Sequence, residues 1–214
     1  MNIVEKEITW SSHQLILTNQ RAIYWPLHES LILSDLHIGK AAHFRKNGIP
    51  IPTQIHQQDL NKLTYLIQYF KAKKVIIVGD LVHANENIEV ADISKILMKY
   101  SDVEFILIQG NHDRIAEKKI KSWGFAAVDV QMVVDTIKFV HEPDNSFHKQ
   151  IVGHIHPGVS LRLPTNKNLR LPAFVVSPSQ IILPAFSEFT GLDTKLKIPD
   201  SIYYAIYENG IIQV

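Results

Sequence analysis

The apolar positions follow two rhythms, and the change comes past the middle of the chain. Gln14 to Ile23 alternates apolar and polar residues around Thr18-Asn19-Gln20, which predicts a hairpin. Ser30 to Ser34 is a short apolar run ending at Asp35 and reads as a buried strand. After a loop with Gly48, Pro50 and Pro52, the residues Ile55, Leu63, Leu66, Ile67 and Phe70 recur near helical spacing. Lys71, Lys73 and Lys74 close that helix, where cations favour its dipole. Val75 to Val78 is a second buried strand, ending at Gly79-Asp80, and Ile93, Ile96, Leu97 and Tyr100 mark a second helix. Phe105 to Ile108 is a third strand, ending at Gly110-Asn111, and a short basic helix covers Ile115 to Ser122. From Val133 onward no helix is obvious. Strands are predicted at Ile137 to Val140, Gln150 to Val152, Leu161 to Leu163, Phe174 to Val176, Ile181 to Leu183 and Ile202 to Ile206.

Strands alternating with helices argue for an α/β domain with a mixed or parallel sheet; the strand-only second half argues for a largely antiparallel sheet packed on it. No linker interrupts the chain, so residues 1–214 are expected to form a single domain, with residues 1–30 as an N-terminal hairpin packed on it. The net charge of +1 gives no whole-protein argument for nucleic acid or membrane. The absence of Cys excludes disulfides, zinc ribbons and thiol catalysis. No signal-peptide pattern and no membrane-length apolar run is present, so a cytoplasmic protein is expected.

Histidine changes the picture. Eleven are present, and His is the commonest metal ligand. Three buried strands end in turns carrying ligand-type residues: Asp35-Leu36-His37, Gly79-Asp80, and Gly110-Asn111-His112-Asp113. In open α/β sheets ligands bind beyond the carboxyl ends of strands. Two further strands end at His141 and at Gly153-His154-Ile155-His156. Singly these are weak signals; a lone Gly-Asp is an ordinary turn. Their joint order, each behind an apolar strand, is what points to one site.

That ordered set, spanning Ser34 to Pro157, resembles the calcineurin-like metallophosphoesterase superfamily. The resemblance implies a double β-sheet sandwich flanked by helices. It implies one metal held by Asp35, His37, Asp80 and His156, and a second by Asp80, Asn111, His141 and His154, with Asp80 bridging. It further implies that His112 faces the scissile phosphate as a catalytic group, oriented by Asp113. The chemistry fits those residue types, because two metals about 3.5–4 Å apart offset phosphodiester charge and activate water. Oxygen and imidazole ligands suit manganese, with iron or zinc as alternatives.

Two positions depart from the commonest family pattern: Leu81-Val82-His83 follows the bridging Asp, and Glu142-Pro143 follows His141. Together with a thirty-residue preamble and the segments DLHIGKAAHFRKNGIPIP, HEP and GHIHP, they resemble a smaller bacterial branch. That branch comprises ligase-associated DNA damage response endonucleases, whose genes lie beside an ATP-dependent DNA ligase and a helicase. The implied function is a phosphodiesterase or nuclease acting on DNA in repair. The alternatives are hydrolysis of a small nucleotide or phosphorylated metabolite and, from another class, a non-catalytic scaffold. Lys40, Arg45 and His83 are the candidate substrate contacts. Lys118, Lys119 and Lys121 read as a solvated helix face, and Arg162, Lys167 and Arg170 as a solvated hairpin. Phe44 and Phe147 read as loop anchors rather than base-stacking platforms. Nothing in the sequence identifies an oligomer interface.

Overall fold

The computed structural model describes residues 1–49, 54–83, 88–145 and 148–214; Pro50, Pro52 and Phe147 lie outside them. The first half contains β1 (Glu5–Trp10), β2 (His13–Thr18), β3 (Ile23–Trp25), β4 (Ser30–Leu33), α1 (Lys40–Lys46), α2 (Gln54–Phe70), β5 (Lys74–Val78), α3 (Ile88–Lys99), β6 (Glu104–Ile108), α4 (Glu117–Lys121) and β7 (Ala127–Asp129). The second half contains β8 (Gln131–Val134), β9 (Ile137–Val140), β10 (Lys149–Val152), β11 (Gly158–Arg162), β12 (Asn168–Val176), β13 (Gln180–Ile182), β14 (Ile202–Tyr207) and β15 (Gly210–Gln213).

Strands β1 to β7 form one sheet in sequence order, antiparallel from β1 to β4 and parallel from β4 to β7. The second sheet runs β15-β14-β12-β13-β10-β9-β8, with β11 paired to β12. Its pairings are mostly antiparallel, as the short connections suggest, but β10 lies parallel to both β9 and β13. A parallel neighbour lets β9 and β10 end side by side, which brings His141 and His154 to the same edge.

Period-two alternation explains how the first sheet serves two cores. Leu31, Leu33, Val75, Ile77, Phe105 and Leu107 face the helices, joining Leu63, Leu66 and Ile67 of α2. The intervening Ile32, Ile76, Val78, Ile106 and Ile108 face the second sheet and meet Phe139, Ile151, Phe174 and Ile181. The strands therefore read as continuous apolar runs because they are covered on both sides. A smaller cluster of Val152, Val175 and Ile182 is covered on the outer face by Leu196, Ile198 and Tyr203. Among the described residues no helix is long and apolar enough to cross a membrane.

Several features, β7 among them, lie outside the sequence expectations. β1 pairs with β2 along six residues, α1 replaces what read as loop, and β8 and β15 add strands at the edges of the second sheet. The basic helix α4 leaves Lys118, Lys119 and Lys121 in solvent, as read. Phe44 packs edge-on against Phe189 with ring centroids 5.5 Å apart, which anchors α1.

Candidate metal centre

The turns beyond β4 and β5 stay paired after the strands end. The Asp35 N–H donates to Gly79 O (3.0 Å), His37 N–H to Asp80 O (2.9 Å), and Ile38 N–H to Leu81 O (2.9 Å). Asp35, His37, Asp80, His154 and His156 all have positive φ, between 48° and 67°. Non-glycine residues held there cost of order 1–3 kcal/mol each and persist only where the surroundings fix them. That strain falls on five of the seven residues expected to be ligands.

These turns converge. Asp35, His37 and His156 form one group, and Asp80, His141 and His154 a second; within each, one ligand atom per residue lies within 4.8 Å of the others. In the first group His37 Nε2 is 3.2 Å from His156 Nε2, and His156 Nε2 is 3.2 Å from Asp35 Oδ1. In the second, His141 Nε2 is 3.3 Å from Asp80 Oδ1. The other oxygen of Asp80 lies 4.0 Å from His37 Nδ1 in the first group. Asp80 thus presents one oxygen to each side. Asn111 is exposed and lines a groove of ≈ 410 Å³ together with Gly110, Asp113, His141 and Glu142.

The donor set fits divalent ions. Asp35 Oδ1, His37 Nδ1 and His141 Nε2 are buried without a hydrogen-bond partner. Buried polar atoms normally have one, and a metal ligand is the exception that explains itself. Charge follows the same geometry. Burial pushes the His37 imidazole down to about 3, with the nearby Lys40 charge adding to it against Asp35 and Asp80. For His141 burial opposes protonation, but the adjacent Asp80 carboxylate and the Asp35 charge outweigh it and lift the imidazole to about 9. Asp80 pays a burial penalty too, yet His141 and the His112 N–H (3.0 Å) hold it down at about 2.

His112 is exposed at the rim, its ring 5.8 Å from His37 and 5.1 Å from His83. The sequence reading gave Asp113 the task of orienting that imidazole. Its oxygens accept the backbone N–H groups of Val82 and Gly110, both at 2.9 Å. The carboxylate lies buried beneath two turns whose N–H groups need acceptors, so it fixes the turn that carries His112. Burial raises Asp113 to about 6. His83 is half-buried 5.7 Å from His37, and His43 stands 5.9 Å beyond it. Lys40 is half-buried at the start of α1; burial lowers its ammonium against the pull of Asp35 and Asp80. Arg45 lies further along the same helix.

Sequence reasoning missed the segment that backs this centre. Ala185 pairs with Ser34, the Phe186 N–H donates to Ser34 O (2.8 Å), and the Ser187 N–H to Asp35 O (3.2 Å). Arg21, Asp59 and Lys62 surround that segment. A signal was available: Asp59 and Lys62 share the helix face of Leu63 and Leu66, where charge is out of place.

Two mixed sheets with paired Asp/His groups at their strand ends define a metallophosphoesterase, an enzyme that hydrolyses phosphoric esters with divalent metals. The chain belongs to the calcineurin-like phosphoesterase family, whose model matches residues 30–185. Among solved structures it is similar to the nuclease MPE of Pseudomonas putida, with 30% identity, 99% of this chain and 100% of that one covered, and a TM-score of 0.83. No curated protein matches it.

Proposed function

We propose that the 214 residues form one metallophosphoesterase domain that cleaves phosphodiester bonds of DNA, using two divalent ions, manganese foremost. Asp35, His37, Asp80 and His156 would hold one ion; Asp80, Asn111, His141 and His154 the other. The carrying observation is Asp80, whose two oxygens face different Asp/His groups 3.3 and 4.0 Å away. When bound, such ions supply positive charge to the phosphate oxygens and bring the pKa of water near neutrality.

The protein's own groups do the rest. His112 at the rim donates a proton to the departing oxygen, a role worth about 10²–10⁴-fold. Asp113 holds the His112 turn against Gly110 and Val82. Lys40, Arg45 and His83 contact phosphates flanking the scissile one. A DNA substrate is supported by the likeness to a nuclease over the whole chain and by the exposure of the groove. Association with a DNA ligase and a helicase in repair belongs to the same reading.

The test separates metal chemistry from proton donation. Asp80→Asn should abolish hydrolysis of both bis-p-nitrophenyl phosphate and single-stranded DNA with Mn²⁺. His112→Ala should lose DNA cleavage by about 10²-fold or more, but much less of the aryl ester activity, because a nitrophenolate leaves without a proton. Full DNA cleavage by either variant would sink the assignment. Cleavage of cyclic or linear mononucleotides in preference to DNA would favour the small-nucleotide reading.

A further inference from the structure

The stretch from Leu183 to Ser187 spans both sheets. The Leu183 N–H donates to Val152 O (2.8 Å), one residue before the Gly153-His154 turn. Two and three residues on, Ala185 and Phe186 pair with Ser34, and Ser187 holds Asp35. The first metal group draws Asp35 and His37 from one sheet and His156 from the other. Its geometry therefore depends on this crossing.

The carbonyls of the crossing point away from those pairings, and a half-buried Arg21 and a buried Lys62 take them. Arg21 Nη1 donates to Ser187 O (2.9 Å) and Ala185 O (3.4 Å). Lys62 Nζ donates to Phe186 O (2.7 Å) and lies 4.2 Å from the Phe186 ring centre. Asp59 neutralises Lys62 at 3.3 Å and accepts the Glu188 N–H at 3.4 Å. Lys62 and Asp59 are buried, at 3% and 6% exposure. Burying charges costs several kcal/mol each, and apolar replacements are often as stable. Fold stability alone therefore gives little reason for this cluster. What it does, given three consecutive carbonyls fixed from two directions, is set the position of one strand.

We propose that Arg21 and Lys62 are positioning residues for the Asp35–His37–His156 metal group, acting through the carbonyls of residues 185–187. The proposal rests on the metal-binding reading above. Arg21 and Lys62 hold the crossing whose N–H groups hold the backbone of Ser34 and Asp35.

The experiment is a calorimetric titration of the full chain with Mn²⁺. Wild type should show two binding events, assigned by their loss in His156→Ala and His154→Ala. In Lys62→Met and Arg21→Met, the event that His156→Ala removes should weaken about tenfold, the scale for groups supporting metal ligands, while the other stays unchanged. Arg21→Lys keeps the charge but reaches a single carbonyl, and should fall between. Arg21→Lys and Lys62→Arg also carry the test if the Met variants do not fold. Equal weakening of both events in step with a lowered melting temperature would overturn the proposal, as would unchanged affinity in folded variants. Failure of wild type to bind two Mn²⁺ ions would instead overturn the metal-binding reading itself.

Discussion

Gly110→Ala should disable the site without a polar group being touched. Gly110 does not have a positive φ, so its backbone would accept any residue. Space alone demands glycine there. A Cβ at this position would stand 2.3 Å from Asp80 Oδ1, 2.4 Å from Asp80 N and 3.0 Å from His141 Cδ2. Relief to an ordinary contact of 3.4 Å from the backbone nitrogen needs 1.0 Å of movement. No flexible side chain can absorb it, because the clash is with the backbone nitrogen of Asp80. A displacement of about 1 Å in a catalytic constellation costs about 10²-fold, or about 2.7 kcal/mol of transition-state stabilisation. Overpacking adds about 1–3 kcal/mol of lost stability. The assay is kcat/KM for bis-p-nitrophenyl phosphate with Mn²⁺, alongside a urea melt. Gly191→Ala is the control, since nothing lies within 4 Å of its Cβ and its φ is not positive. Gly48→Ala is a second control: its surroundings are open but its φ is +82°, so about 1 kcal/mol of stability should be lost with activity intact. A Gly110→Ala enzyme of wild-type rate, or a Gly191→Ala enzyme equally damaged, would refute the reasoning.

Three more outcomes follow from the structure. In metal-free protein the raised His141 contributes stability that is fully present below about pH 6.5 and lost as pH rises through about 9. Asp80, held low, contributes stability that is present above its ordinary value of 3.8 and lost as pH falls through about 2, so the pair is strongest between those limits. A ligating imidazole must be neutral, so Mn²⁺ binding at about pH 8 should release a proton, read by calorimetry in buffers of different ionisation enthalpy; zero release would contradict it. Phe139→Ala, which empties a fully buried position between the sheets, should cost about 3–5 kcal/mol by urea denaturation, and a loss under 1 kcal/mol would show that Phe139 does not hold that core together.

The legible parts of the fold were those whose signal is local. VIIV and FILI are apolar on consecutive positions because both faces are covered, and each became a strand near its expected bounds, as did IKFV despite Lys138. The edges were illegible for the opposite reason. β1 (EKEITW) and β8 (QMVV) expose alternate residues or more, and β15 ends in two exposed positions, so their pattern is weak. α1 begins after Gly39 with no side-chain cap and consists largely of basic and small residues, leaving little periodicity to read. The convergence of Asp35, His37, Asp80, His141, His154 and His156 was legible because metal chemistry restricts residue types. Segment 183–187 was not, since its work is done by backbone groups that every residue possesses. Asp113 shows the limit from another side: its type fitted an orienting role, but only coordinates show which donors reach its oxygens.

The distribution of strain explains why the site sits where it does. A strand that ends in ordinary extended geometry carries its next side chains away to alternate faces. Left-handed residues at Asp35, His37, Asp80, His154 and His156 break that alternation within one or two steps. Successive turns can then return Asp and His side chains to one point from both sheets. Glycine would adopt this backbone without cost but offers no ligand atom. The chain accordingly keeps these Asp and His residues in an unfavourable conformation and fixes them with neighbours: Gly79 O on Asp35, Asp80 O on His37, and Asp35 Oδ2 on the His154 N–H at 3.2 Å. Some of these turns hold one another, and the Asp35 turn is also held by the crossing segment, which Arg21 and Lys62 anchor from outside the site.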